Sequence, residues 1–285
     1  VAAVEAIQHE TGTFEGASKV PIFYQRWLPA TGARRGSIVL VHGLGEHGGR
    51  YTNLVRCLLP EGYAVYCLDH QGFGRSGGQR GHINRFTDYL PDIYRLVQMA
   101  RAEQPGRPVA IFGHSMGGLI SLVYALVLPT SVDYLVISAP ALLANPKRSL
   151  VLLMRMMNLI NPRFSIQRPG GAEGISRDPE EVRRFSQDPL YVGVSSARWA
   201  VEILATQVEV TRRAATLYLP ILMLQGMADV IVVPQATVDF FQRVSSPDKT
   251  LHTYPGYYHE LHNDLEKEKP LNDLVYWLNA RIDRS

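Results

Sequence analysis

A chain of 285 residues, 46% of them hydrophobic, has enough apolar surface for one large α/β domain, or for a core with an inserted subdomain. Its net charge of +3, from 29 basic and 26 acidic residues, is too small and too dispersed to argue for nucleic acid. No unbroken apolar run approaches the roughly 20 residues of a membrane span, and the nine histidines form no close cluster with cysteine at metal spacing, so neither a metal nor another cofactor is expected.

The segment after Val1 carries no basic n-region or apolar h-region, so no leader is expected within it. Thr11–Glu15 and Ile22–Leu28 read as two strands forming an antiparallel edge, and Ser37–Val41 as a buried strand running into His42-Gly43-Leu44-Gly45. Tyr51–Leu59 reads as a helix and Tyr63–Leu68 as a strand ending in Asp69 and a glycine-rich loop. Cys57 and Cys67 fall in these last two segments, and free thiols are favoured over a bridge, which suits a reducing, cytoplasmic setting. Phe86–Gln104 reads as a long amphipathic helix that tolerates Pro91 only near its start.

Val109–Phe112 is short, apolar and β-prone. It runs into Gly113-His114-Ser115-Met116-Gly117 and then into the buried helical run Leu119–Leu126. A Gly-x-Ser-x-Gly pentapeptide at a strand-to-helix turn is the pattern of a nucleophile elbow. A second copy, Gly74-Arg75-Ser76-Gly77-Gly78, lies in the glycine-rich loop with no helix after it, so Ser76 reads as a turn residue and Ser115 as the candidate nucleophile.

Tyr134–Ser138 is a fifth apolar strand. The alternating rhythm breaks at Pro140, and the next 75 or so residues are helix-like, interrupted by Pro146, Pro162, Pro169, Pro179 and Pro189. Strands return at Ile221–Gln225 and Leu251–Tyr254, and a last helix is expected over Asp264–Ile282. This alternation predicts a mostly parallel central sheet with helices on both faces. It also predicts a core in two parts, residues 1–140 and 216–285, with residues 141–215 inserted as a mainly helical cap.

A serine hydroxyl needs a base, and the base an orienting acid. On a hydrolase sheet they follow the serine in the order acid, then histidine, each on a loop beyond a strand. Asp229 follows the strand 221–224, and lies 114 residues after Ser115. Taken alone it reads more readily as a turn or helix-cap residue. His259 follows the last strand, 30 residues after Asp229, and is favoured over His262 because it sits nearer the strand end. Asp69, His42 and His114 read as structural residues held by local hydrogen bonds. The oxyanion donors expected by position are the backbone N–H groups of Met116 and Leu44.

His42–Tyr51 (HGLGEHGGRY), Asp69–Ser76, Gly113–Gly118 and His259-Glu260-Leu261-His262 together resemble the monoacylglycerol lipase branch of the α/β-hydrolases. The resemblance spans most of the chain and is weakest over about Leu142–Thr216. It implies an α/β-hydrolase fold with Ser115 as nucleophile, Asp229 as acid, His259 as base, Leu44 and Met116 as oxyanion donors, and a cap admitting a lipid-like acyl chain. It also implies a polar subsite for glycerol at Glu46, Arg50 and His262. A simple ion pair between Glu46 and Arg50 is the equal alternative.

Within Leu150–Ile160 nine of eleven residues are apolar, three of them methionines. Such a helix is buried or meets lipid, which points to a small lipid ester as substrate and to transient contact of the cap with a membrane or micelle. The runners-up are a broader carboxylesterase or lysophospholipase, and a serine aminopeptidase on the same fold. The last would need an acidic cluster for a substrate amine. Glu173, Asp178, Glu180 and Glu181 stand beside Arg177, Arg183 and Arg184 and read instead as a solvated face. Oligomeric state is not legible in the sequence.

Overall fold

A computed structural model describes residues 8–29, 34–144, 146–168 and 172–282; Val1 and Pro169, noted above, lie outside them. β1 (Gln8–Glu15) and β2 (Pro21–Leu28) pair antiparallel from Gln8 opposite Leu28 to Glu15 opposite Pro21. The expected edge strand thus starts earlier than Thr11. Gln8, His9 and Glu10 join through the backbone ladder, which apolar content cannot announce.

β3 (Gly36–Val41), α1 (Thr52–Leu58), β4 (Tyr63–Leu68), α2 (Leu90–Glu103), β5 (Val109–His114), α3 (Met116–Val127) and β6 (Tyr134–Ser138) then alternate. Pro91 falls in the first turn of α2, where its missing N–H matters least; a 3-10 turn over Phe86–Tyr89 precedes it. Between β6 and the next sheet strand run α4 (Arg148–Ile160), β7 (Ser165–Gln167), α5 (Pro179–Ser186), β8 (Val194–Ser196) and α6 (Ala197–Arg212). The chain closes with β9 (Ile221–Gly226), α7 (Pro234–Arg243), β10 (Lys249–Tyr254) and α8 (Glu268–Ile282).

The eight-stranded sheet has the order β1-β2-β4-β3-β5-β6-β9-β10. β2 meets β4 antiparallel, and every pair from β4 to β10 is parallel. This is the α/β-hydrolase fold. β3, β4, β5 and β9 are buried at every residue, which is why they read as continuous apolar runs without alternation. Successive residues nonetheless serve opposite faces. Val39, Val41 and Ile111 pack toward α2 and α3, while Ile38, Leu40 and Phe112 pack toward α1 and α8.

The insertion is mainly helical, and within it β7 and β8 form a small antiparallel ribbon, with Ser165 opposite Ser196. Three-residue strands carry no readable period, and this ribbon is held by Arg168, whose guanidinium donates to the carbonyls of Val192 and Val194. The last helix starts at Glu268, not Asp264. The Asp264 carboxylate accepts the N–H groups of Arg177, Tyr258 and Leu265, which holds the chain extended there behind a 3-10 turn at Leu261–Asn263. Cys57 and Cys67 are free, as expected. Among the described residues no helix is long and apolar enough to cross a membrane.

Candidate active site

Ser115 ends β5 and caps α3 with φ 54° and ψ −118°. A non-glycine residue rarely adopts positive φ, and holding it there costs about 1–3 kcal/mol. The flanking hydrogen bonds impose it: Ser115 N–H donates to the Ser138 carbonyl at 3.0 Å, and the Ser115 carbonyl accepts from Ala141 at 2.9 Å and Leu119 at 3.1 Å. The two glycines of the motif are needed for space. A Cβ at Gly113 would collide with the Ser121 hydroxyl and the Gly117 carbonyl, and one at Gly117 with the carbonyls of Val41 and His42. Ser76 has no such turn. Its hydroxyl donates to the Asp69 carbonyl and accepts the Phe23 N–H, so it ties the glycine-rich loop to β2.

The acid and base loops are laced together by backbone. Met227 N–H donates to the Tyr254 carbonyl and Ala228 N–H to that of Tyr257, each at 3.0 Å. This brings residues thirty apart in sequence into contact. Asp229 Oδ2 lies 2.6 Å from His259 Nδ1, with both side chains buried. Asp229 Oδ1 accepts the N–H groups of Ile231 and Val232. Asp229 thus divides its two oxygens: one caps the turn and the other meets the imidazole. A carboxylate only accepts, so Nδ1 carries the proton and Nε2 of neutral His259 keeps its lone pair. Burial pulls the His259 pKa down, but the charge and hydrogen bond of Asp229 more than reverse this, and Glu260 and Glu46 add to the rise; the net shift is upward.

The loop after β3 approaches the elbow closely, since a Cβ at Gly43 would stand 3.2 Å from that of Ser115. His42 holds this loop. His70 N–H donates to His42 Nε2 at 2.8 Å, so the other nitrogen, Nδ1, carries the proton and donates to the Gly43 carbonyl at 2.8 Å. Burial lowers the His42 pKa to about 4, which keeps it neutral. Asp69 accepts from Gly48 N–H and Arg75 N–H, matching its structural reading. Leu44 is half-buried against the core. Met116 is the first residue of α3, where helical N–H groups have no helical acceptor.

Glu46 is buried and accepts from Gly43 N–H at 2.6 Å and from the Tyr51 hydroxyl at 2.5 Å. Arg50 Nε faces it at 3.4 Å, so the ion pair is present. The same guanidinium makes two hydrogen bonds to Glu260, which no reading of the sequence singled out. The only available signal was a charge set between His259 and the apolar Leu261. His262, 2% exposed, joins no ion pair among the described residues and stacks on Tyr51, ring centroids 4.6 Å apart. Burial lowers its pKa to about 4. His114 lies between the two histidines of the base loop, with ring centroids 4.7 Å from His259 and 5.0 Å from His262.

A family model described as serine aminopeptidase, S33, matches residues 32–266. The chain belongs to this family of α/β-hydrolases. Several similar proteins carry a narrower name. A monoacylglycerol lipase of Mycolicibacterium smegmatis is 35% identical over 273 residues, covering 95% of this chain and 97% of the relative. The human monoglyceride lipase is 32% identical over 266 residues, covering 91% and 87%. The crystal structure of Paleococcus ferrophilus monoacylglycerol lipase superposes with a TM-score of 0.81 at 30% identity, covering 98% of this chain and all of that one. The family member described here is a serine hydrolase closely related to these lipases.

Proposed function

We propose that this hydrolase cleaves monoacylglycerol to glycerol and fatty acid through an acyl-enzyme on Ser115. The observation that carries the reading is the buried Asp229–His259 contact of 2.6 Å, which leaves the Nε2 lone pair of the imidazole for a base, on a ring that packs 4.7 Å from that of His114, the residue before strained Ser115. In the reaction, His259 Nε2 takes the hydroxyl proton as Ser115 Oγ attacks the ester carbonyl. The oxyanion is met by the N–H groups of Leu44 and Met116. The imidazolium returns the proton to the leaving glycerol oxygen, and the ester C–O bond breaks. Water then attacks the acyl-enzyme, His259 takes its proton, and Ser115 recovers it as the fatty acid leaves.

Residues 141–215 serve as the cap over this site. Several apolar side chains of α4 are open to solvent, Leu159 at 85% and Ile160 at 76%, which supports an acyl-chain entry that touches a membrane or micelle. Free Cys57 and Cys67 suit a reducing compartment such as the cytoplasm. The aminopeptidase reading is weaker. Asp178 accepts the Glu180 N–H, and Glu180 and Glu181 are paired with Arg183 and Arg184, so this acidic group is engaged within its own helix.

Glu46, Arg50 and His262 are assigned to the polar, glyceryl end of the pocket. Their support is proximity: Glu46 holds Gly43 beside the elbow, and His262 packs on His114 next to His259. The test compares a monoacylglycerol with the methyl ester of the same acid in wild type, Glu46→Ala and His262→Ala. A glyceryl preference in wild type that shrinks in both variants is expected. No preference in wild type would return the enzyme to the broader esterase class. Loss of fluorophosphonate labelling in Ser115→Ala tests the nucleophile itself.

A further inference from the structure

Glu260 directly follows His259, is 3% exposed, and has no part in the steps above. Arg50 Nη2 donates to its two oxygens at 3.0 and 2.8 Å, and Asn263 Nδ2 donates to it at 2.8 Å. The opposite side of the guanidinium faces Glu46, and Glu46 in turn accepts the Gly43 N–H. Gly43 immediately precedes Leu44. A chain of polar contacts, Glu260–Arg50–Glu46–Gly43, thus runs from the residue after the base to the residue before the oxyanion donor, its Arg50–Glu46 link an ion pair and not a hydrogen bond. Phe185 of α5 covers it from the cap, its ring centroid 4.7 Å from the Arg50 guanidinium carbon.

Burying three charges removes hydration that their pairing does not always restore, so a gain in stability is a weak explanation for the cluster. What a forked guanidinium between two carboxylates does supply is fixed geometry. We infer that Glu260 is a positioning residue: through Arg50 and Glu46 it locks the loop bearing His259 to the loop bearing Leu44, so base and oxyanion donor keep one register about Ser115. This rests on the assignments of His259 and Leu44 made above.

The charge of Glu260 also reaches the base. The groups facing His259 are Asp229, the carboxylates of Glu260 and Glu46, and the rings of His114 and His262, with Arg50 between the carboxylates. Burial keeps both rings neutral, well below the usual histidine range. Glu260 is one of the charges that raise His259, so removing it lets His259 shed its proton at lower pH.

The experiment measures kcat and KM against pH for Glu260→Gln, on a glyceryl ester and on the methyl ester of the same fatty acid. Glutamine keeps the volume and the Asn263 contact. A fall in kcat of about 10- to 100-fold on both esters is expected, with KM little changed and the acid limb of kcat/KM moved to lower pH. Arg50→Lys keeps the charge but not the fork. It should lower kcat on the methyl ester while leaving the acid limb in place, and it carries the test if the glutamine variant does not fold. Unchanged kcat and acid limb, with only Tm lowered, would reduce Glu260 to a structural role and overturn the inference. A loss confined to the glyceryl ester would overturn it too, by making Glu260 a substrate contact. Wild-type protein that neither turns over the methyl ester nor takes a fluorophosphonate would instead bring down the triad, and the inference with it.

Discussion

Ser115 is held at a φ of 54° by hydrogen bonds from both sides, so its strain belongs to the backbone and not to its hydroxyl. Ser115→Ala should therefore keep the fold, with Tm near wild type, while ester hydrolysis falls at least about 1,000-fold. Ser76→Ala should behave oppositely. Two buried hydrogen bonds are lost and the Phe23 N–H is orphaned, so stability drops by about 1–3 kcal/mol while kcat is kept. Thermal melts beside kcat values separate the two serines; an inactive Ser76→Ala with an active Ser115→Ala would reverse the choice. His259 gives a pH signature. It works as base only when neutral, and its pKa lies above the ordinary value of about 6.5. Activity should be present above that raised value and disappear as pH falls through it, so the acid limb of kcat/KM stands above 6.5. Asp229→Asn removes the main upward influence and the correct tautomer together. Its limb should move down, with kcat reduced by about 10⁴-fold; a limb unmoved by the substitution would mean that another group titrates.

α4 is the element whose surroundings differ most from its composition. Of its thirteen residues only Met154 is buried, while Leu152, Leu153, Met156, Leu159 and Ile160 are exposed. Apolar residues left in water at the edge of a cap lower the free energy of meeting acyl chains or a micelle surface. Leu152→Lys with Met156→Glu should therefore reduce kcat/KM on long-chain glyceryl esters by about 10-fold or more while butyrate esters are nearly unaffected, because each buried methylene contributes about 0.8 kcal/mol. Vesicle flotation of the same variant should show weaker lipid binding. Equal losses on short and long esters would point to damage of the cap itself.

At the scale of the whole molecule, the cap is tied to the core at several polar points beyond the chain crossings. His47 Nε2 lies 2.9 Å from Asp188 Oδ2, Val192 N–H donates to the Gly45 carbonyl at 2.7 Å, and Arg177 Nε donates to Asp264 at 3.0 Å. Asp264 is the most demanding of these, being fully buried and accepting three backbone N–H groups, those of Arg177, Tyr258 and Leu265, besides the Arg177 guanidinium. Asp264→Ala orphans them all and should lower stability by about 3–5 kcal/mol in urea titration. Because the same loop carries His259, activity should fall well below the melting temperature. A loss under about 1 kcal/mol would show that water replaces the carboxylate there.

The strands of the parallel sheet and the strained strand-to-helix turn at Ser115 were legible in the sequence because each is a local signal: a fully buried strand must be a run of apolar residues, and such a turn must have glycines where no side chain fits. The free cysteines and the turn role of Ser76 followed from the same local chemistry. What sequence could not reach were the outcomes of contact between distant segments. Whether Asp229 capped a turn or met a histidine was undecidable locally, and the fold answers with both, one oxygen each. The late start of α8 at Glu268 goes with an Asp264 carboxylate that accepts the N–H groups of Tyr258 and Leu265 from its own loop and that of Arg177 from 87 residues away. The β7–β8 ribbon pairs segments some thirty residues apart, and the Arg168 guanidinium reaches the carbonyls of Val192 and Val194 beside it. Glu260 pairs with a guanidinium 210 residues away, and Glu46 shares that same cation. Local pattern determines which segments are buried and which turns are strained; long-range electrostatic pairing inside a dry interior is decided only when the chain has closed around it.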